Sequence, residues 1–342
     1  MSKSKRTPTL RDVAERAGVS QSTVSIVLSG RRSGKDRISD ETRQRVMEAV
    51  ETLEYVPNQL ARHLRRQSTE RVSLAVAHLG VPYSDLIARD LQRVAKTHGY
   101  SMVINISHSA EDERDTLRQM RAGLADGVLM LPEYMDGDDL SETIELVVRS
   151  GIAVVVMSNY VSGPGFDIVR NTEYQTCYQA VEYLLKQGHR RIATIRHDMK
   201  DAVELSRFKS YIQAQRDYGV SIDEALIRVG ARSRQVAYEL THALLKLAHP
   251  PTAIFSESDR AAISAIWAIR DAGLRVPEDV AVIGVGNIPE GEIMHPPLTT
   301  VGPLTRDFTD VSELLFSRLN RTAPDEGRII EQPWAFIHRG SA

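Results

Sequence analysis

The 342-residue chain is too long for one ordinary core, and its 42% apolar content is normal for a globular protein, so two or three domains are expected. No run of about 18 uncharged apolar residues occurs, and the start MSKSKRTPTLRDV lacks the apolar segment of a secretory signal, so the chain is expected in the cytoplasm. The formal charge of −2 hides an asymmetry: residues 1–67 carry 14 Lys and Arg against 8 Asp and Glu, whereas the rest carries 29 against 37. Such a basic head suits a polyanion or is a solvated tail that binds nothing, and pattern has to decide.

The head opens with Thr9, then Leu10, Val13, Ala14 and Ala17 at helical spacing, with Asp12 placed to close a capping box on Thr9. Gly18 can end this helix in the left-handed conformation, Val19 can staple the corner, and Ser20 can cap a second helix. In that second helix Val24, Val27 and Leu28 share one face, which directs Gln21, Ser22, Ser25 and Ile26 outward or to the flanks. After a polar loop, Ser39 starts a third helix whose Val46, Ala49, Val50 and Leu53 supply the facing stripe.

A helix-turn-helix in basic surroundings is built to lay its second helix in the DNA major groove; the alternative is a helical hairpin that serves only for packing. Gln21 has the paired donor and acceptor that adenine requires, Ser22 offers an adaptable base contact, and Thr23 and Ser25 offer phosphate or base contacts. Ile26 either meets a thymine methyl or shields the helix flank. Thr9, Leu10 and Ser20, at the starts of the two helices, complete the candidate DNA-facing set in this part of the chain.

The segments TLRDVAERAGVSQSTVSIVLSG and ISDETRQRVMEAVETLEYVPNQLARHLRR resemble the head and hinge of the lac repressor family of bacterial transcription regulators. The resemblance implies that PNQLARHLRR, beginning near Asn58, becomes a short helix on operator DNA and pairs with its twin. Ala61 would then pack on the minor-groove floor, Leu64 would act as the wedge, and Arg62 would meet phosphate. A helix of roughly seven residues does not persist alone, so DNA and dimer contacts would have to order it. One departure is the loop SGRRSGKDRIS, a few residues longer than the family's usual one. Its Arg31, Arg32, Lys35 and Arg37 add phosphate contacts or simply solvate the loop.

From Glu70 onward apolar runs alternate with helical stretches: RVSLAVAHL, SMVINIS, DGVLMLP, IAVVVMS, RRIATIR, TAIFSES and VAVIGVG. This pattern predicts an α/β fold with parallel sheets covered on both faces, arranged as two doubly wound subdomains with a ligand cleft outside the strand carboxyl ends. The resemblance extends to about Ala335 and implies the periplasmic-binding-protein architecture. The expected division is a head over 1–57, a hinge over 58–68, and a core over 69–342. Within the core the first subdomain takes about 69–167 and 301–330, and the second about 168–300 and 331–342. The chain is thus expected to regain the first subdomain near Val301 and the second near Glu331.

The family's effector positions carry over onto Tyr83 and Ser84 in the stretch PYS, Arg207 in ELSRFKSY, and Ser258 beside Asp259. Arg232 falls where a ring is common, and Arg196 lies at a strand end facing the same cleft. Two positions the family fills with acids fall on Ser158 and Gly286, so a cleft rich in arginine and poor in opposing acids is expected, suited to an anionic effector. The alternative is that these arginines pair with Glu204, Asp201 or Glu257. No nucleophile elbow, phosphate loop or zinc-protease helix occurs, GVGN is a weak dinucleotide cue, and the histidines form no metal set, so no enzyme activity, cofactor or metal is expected. Cys177, the single cysteine, allows neither an intrachain disulfide nor a thiolate cluster. The resulting expectation is an operator-binding homodimer controlled by a small effector. The alternative is a cytoplasmic binding protein or enzyme of the same fold with a non-specific basic head.

Overall fold

The computed structural model describes residues 8–28, 38–55, 68–197 and 206–342. Two compact units divide between Ser68 and Thr69. The head consists of α1 (Leu10–Ala17), α2 (Gln21–Leu28) and α3 (Asp40–Thr52). At the start of α1 the Thr9 hydroxyl accepts the Asp12 amide at 3.4 Å and the Asp12 carboxylate accepts the Thr9 amide at 2.7 Å, closing the capping box that their spacing predicts. Gly18 then turns left-handed at φ +66° and its N–H reaches the carbonyls of Ala14 and Glu15, which stops the helix and frees the chain to start α2. Ser20 and Ser39 cap α2 and α3 through the amides of Thr23 (3.1 Å) and Thr42 (3.2 Å). Val13, Ala17, Val24, Val27, Val46 and Ala49 bury together, and Val50 and Leu53 pack at the edge.

In the core unit five parallel strands come first: β1 (Arg71–Val76), β2 (Ser101–Ile106), β3 (Gly127–Leu131), β4 (Ala153–Met157) and β5 (Asp167–Asn171). They alternate with α4 (Pro82–Thr97), α5 (Ala110–Arg121) and α6 (Gly137–Arg149). The second series is β6 (Ile192–Arg196), β7 (Ile227–Val229), β8 (Ala253–Ser256), β9 (Ala281–Val285) and β10 (Thr299–Pro303). Its helices are α7 (Glu173–Lys186), α8 (Ser206–Asp217), α9 (Arg234–Leu245), α10 (Asp259–Asp271) and the short α11 (Glu290–Ile293). After α12 (Thr309–Leu319) the chain adds β11 (Ile329–Gln332) to the first sheet and β12 (Trp334–Ile337) to the second.

The sheet orders are β11-β5-β4-β3-β1-β2 and β12-β10-β9-β8-β6-β7, with β12 the antiparallel member. All seven apolar runs form strands. Apart from the edge strand β2, which is half-exposed, they are buried on both faces, as in β3 (Val128, Leu129, Met130) and β9 (Val282, Ile283), because helices cover each sheet on two sides. The crossings fall a few residues later than expected. β5 completes five residues in the first sheet before the chain leaves at Thr172, and β10 runs through Pro303 in the second sheet before α12 returns to the first. The physical reason is that a strand already paired in register, Val155 opposite Asp167 and Val301 opposite Val285, cannot change sheets until its ladder ends. The last crossing lies between Gln332 and Trp334.

Candidate DNA-reading helix and ligand cleft

In the head, Gln21 and Ser22 are exposed at the start of α2, while Ser25 and Ile26 lie half-exposed on its flank. Val24 and Val27 anchor the opposite side, so the helix cannot rotate those polar groups inward without unburying two valines. The other candidates divide by what their side chains already do. Thr9 is committed to its cap, and Leu10 packs its side chain on the head core. Ser20 holds the amide of Thr23 and lies 2.7 Å from the Ser22 hydroxyl and 2.9 Å from that of Thr23. Arg31, Arg32, Asn58, Ala61, Arg62 and Leu64 lie outside the described residues.

The cleft is built around Arg207 at the start of α8. Its Nε donates to Glu173 at 2.7 Å, a terminal nitrogen lies 2.6 Å from the same carboxylate, and the other terminal nitrogen donates to the Glu257 carbonyl. Burial opposes its charge, yet Glu173 more than compensates and holds its pKa above the ordinary arginine value. The guanidinium carbon stands 5.7 Å from the Trp334 ring, whose other neighbour is Tyr83, edge-on at 6.0 Å. Tyr83 packs edge-on to Phe308 at 5.2 Å and donates to Gln332 at 3.0 Å, so it ties α4 to the last crossing; burial pushes its phenol pKa upward. Its neighbour Ser84 is half-buried. Arg196, at the end of β6, stacks its guanidinium 4.2 Å over Phe208, and its buried Nε has no hydrogen-bond partner among the described residues.

The arginines do not stand in an acid-poor cleft. Arg207 pairs with Glu173 and Arg232 pairs with Glu133, and Glu257, fully buried beneath the site, faces Arg207 and Arg196 electrostatically. Burial pushes the Glu257 carboxyl up to about 7. Three glutamates thus supply the charge that Ser158 and Gly286 lack. Motif matching missed Glu133 and Glu173 because they come from a loop and a helix start with no fixed spacing to the arginines.

Asp259 is a structural carboxylate. It is 1% exposed, accepts from the Thr300 hydroxyl at 2.6 Å and the Ile288 amide at 2.9 Å, and is pushed up to about 6 by desolvation. Ser258, the residue before it, caps α10 by position without a side-chain bond. Gly286, at φ +141°, would bring any Cβ within 3.3 Å of an Asp259 oxygen, so an acidic side chain there would be strained and would meet like charge. The Ser158 hydroxyl accepts the Tyr160 amide at 3.1 Å.

An open cavity of about 700 Å³ lies beside the first crossing, lined by Asn159, Tyr160 and Asn171 from one subdomain and Tyr174, Ser206 and Lys209 from the other. None of the nine carried-over positions lines it, but a hydrogen-bond chain joins it to Arg207. Tyr160 donates to Ser206 at 3.2 Å, and Ser206 donates at 2.7 Å to the Glu173 oxygen opposite the one that holds Arg207.

Residues 9–58 match the family model for bacterial regulatory proteins of the lacI family, and residues 181–342 match a periplasmic binding protein-like domain. The transcriptional repressor PurR of Histophilus somni (strain 129Pt) is 31% identical over 327 residues, covering 94% of this chain and 95% of that protein. The chain belongs to the LacI family. The transcriptional regulator DegA of Bacillus subtilis (strain 168) is 32% identical over 314 residues, covering 92% of this chain and 91% of that one. The lac repressor dimer bound to operator and the anti-inducer ONPF matches in fold, with a TM-score of 0.79 at 23% identity over 98% of this chain and 99% of that one. As a LacI-family member the chain is a DNA-binding transcription regulator rather than an enzyme, and its helix-turn-helix head and two-sheet core are the family's fold.

Proposed function

We propose that this LacI-family regulator represses transcription as a cytoplasmic homodimer that binds a roughly palindromic operator and is switched by a small polar effector in the cleft around Arg207. The observation that carries this reading is the pairing of exposed Gln21 and Ser22 at the start of α2 with a rigid valine seat beneath them. Two such helices related by a two-fold axis read two half-sites about one helical turn apart. Homodimer formation is supported by the apolar rim of the first sheet's edge, where Leu79, Val81, Ile104 and Ile106 are all exposed. Ala61 and Leu64 of the hinge are assigned to the minor groove, and Arg31, Arg32, Asn58 and Arg62 to the backbone around it.

The effector changes the equilibrium between cleft states, and through it the ability of two hinges to meet on DNA. The arginine wall suits a ligand rich in acceptors, with an anionic group opposite Arg232, while Glu133 and Glu173 set the counter-charge it meets. Selection of bound fragments from a random duplex pool, repeated across salt concentrations, tests the DNA half of the reading. The full chain is expected to enrich a two-fold symmetric site with steeply salt-dependent affinity; equal selectivity from residues 69–342 alone would overturn it. A calorimetric panel of organic acids, sugar phosphates and neutral sugars tests the effector half, and heat from neutral sugars alone would reject the anionic group.

A further inference from the structure

Arg232 and Glu133 belong to different subdomains. Arg232 stands between β7 and α9, Glu133 just after β3, and their side chains form an ion pair across the cleft at 30% and 27% exposure. The other Glu133 oxygen lies 3.7 Å from His78 Nε2, in the loop just after β1. The segment that carries Glu133 is held in place from below. The carboxylate of Glu113, 2% exposed, accepts the backbone amides of Glu133 at 2.7 Å, Tyr134 at 3.2 Å and Met135 at 2.8 Å. A second bond crosses nearby, from the Arg260 guanidinium on α10 to the Gly80 carbonyl.

We propose that Glu133 is a built-in occupant of the anion position on Arg232: it clasps the cleft shut without effector and sets the affinity that an incoming anionic group must exceed. The proposal rests on the effector reading above. Its physical basis is preorganisation, because three amides fixed on Glu113 hold the backbone that carries Glu133, so little chain freedom is lost when its side chain pairs. A free anion must pay that ordering cost and also displace a tethered carboxylate of high effective concentration.

Two readouts on the full-length chain test it, neither of which involves DNA. In the first, cysteines at exposed Asp138 and Gln235 carry spin labels on opposite sides of the clasp, with labelled protein diluted into unlabelled; the native Cys177 is fully buried and stays unlabelled. Pulsed dipolar spectroscopy is expected to show that Glu133→Gln and Arg232→Gln each increase the longer-distance population about fivefold, and that the swap Glu133→Arg with Arg232→Glu restores the short one. In the second, inorganic phosphate serves as the anion probe in calorimetry, with Glu133→Gln binding it more tightly than the parent and Glu133→Gln with Arg232→Gln losing that gain. Unchanged distance distributions in both single variants, or phosphate bound no better by Glu133→Gln, would overturn the clasp while leaving the DNA-binding reading intact.

Discussion

Glu173 holds the guanidinium of Arg207 at 2.6 Å, and it does so from the first residue of α7, where the chain has just left the first sheet for the second. One carboxylate therefore fixes the cleft's central cation at the first crossing between the subdomains, and its second oxygen accepts from Ser206, whose hydroxyl in turn accepts from Tyr160. The cavity beside the crossing and the cleft around Arg207 are thus joined through the same pair.

Removing one member of this pair should cost more than removing both. Arg207→Ala leaves Glu173, 14% exposed, without its counter-ion, and is expected to lower stability by about 3 kcal/mol, the low end for a broken buried pair because part of the arginine still meets water. The double change Arg207→Met with Glu173→Gln removes both charges and should cost clearly less. Urea unfolding of the four combinations measures the difference, and a double variant as unstable as Arg207→Ala would show that packing rather than charge dominates.

Glu257 and Asp259 give the core a pH dependence of definite sign. Their folded pKa values, about 7 and about 6, lie above the ordinary carboxyl values, so the folded state keeps protons the unfolded state has lost. Their contribution is present below the unfolded pKa and fades as pH rises toward the folded one, between about pH 4 and 7. Asp167 acts in the opposite direction. Although burial disfavours its charge, hydrogen bonds from Arg328 and Arg318 hold its pKa below the usual range, so its contribution is lost in acid. Glu257→Gln keeps an acceptor for the His197 amide and removes the charge. Its urea midpoint should exceed the parent's at pH 8 and approach it at pH 5; an equal offset at both would assign the effect to packing.

The sequence made the head legible almost atom by atom, because its helices are set by local rules: a threonine and an aspartate three apart, a glycine at the turn, serines at two helix starts. The seven apolar strands were equally plain. The sequence did not announce β7, three residues long, or β5 and the edge strand β11, whose Asp167, Arg170 and Glu331 break the apolar run. Cleft chemistry was the least legible. Arg207, Arg232 and Arg196 could be placed by resemblance, but their partners Glu133 and Glu173 are distant in sequence, so the cleft's charge balance emerges only from tertiary structure.

The head should unfold more readily when its turn is altered. Gly18→Ala places a Cβ at φ +66° and is expected to cost about 1 kcal/mol, with a similar loss for Thr9→Ala at the capping box. Both changes leave Gln21 and Ser22 in place. DNA affinity should fall uniformly across sequences, whereas Gln21→Ala should relax selectivity at one base pair by about 1–3 kcal/mol with little change in head melting. Comparing melting curves with binding to a set of singly substituted sites separates the two effects.

The edge of the first sheet provides the sharpest test of assembly. β2 pairs only with β1 among the described strands, and Ile104 and Ile106, 38% and 43% exposed, share one face of the strand with the half-buried Met102, opposite Val103 and Asn105. An exposed apolar edge beside Leu79 and Val81 is costly in a monomer and invites a partner. If a second copy covers it, Ile104→Lys with Ile106→Lys should raise the dimer dissociation constant about 100-fold, since two buried anchors become charges that cannot be paired across a two-fold axis. Sedimentation equilibrium measures this directly. Operator affinity should fall in parallel, because two heads on separate chains lose the effective concentration that one dimer supplies; an intact dimer in the variant would place the interface on another face, where exposed Trp267, Ile293 and Leu304 are the next apolar candidates.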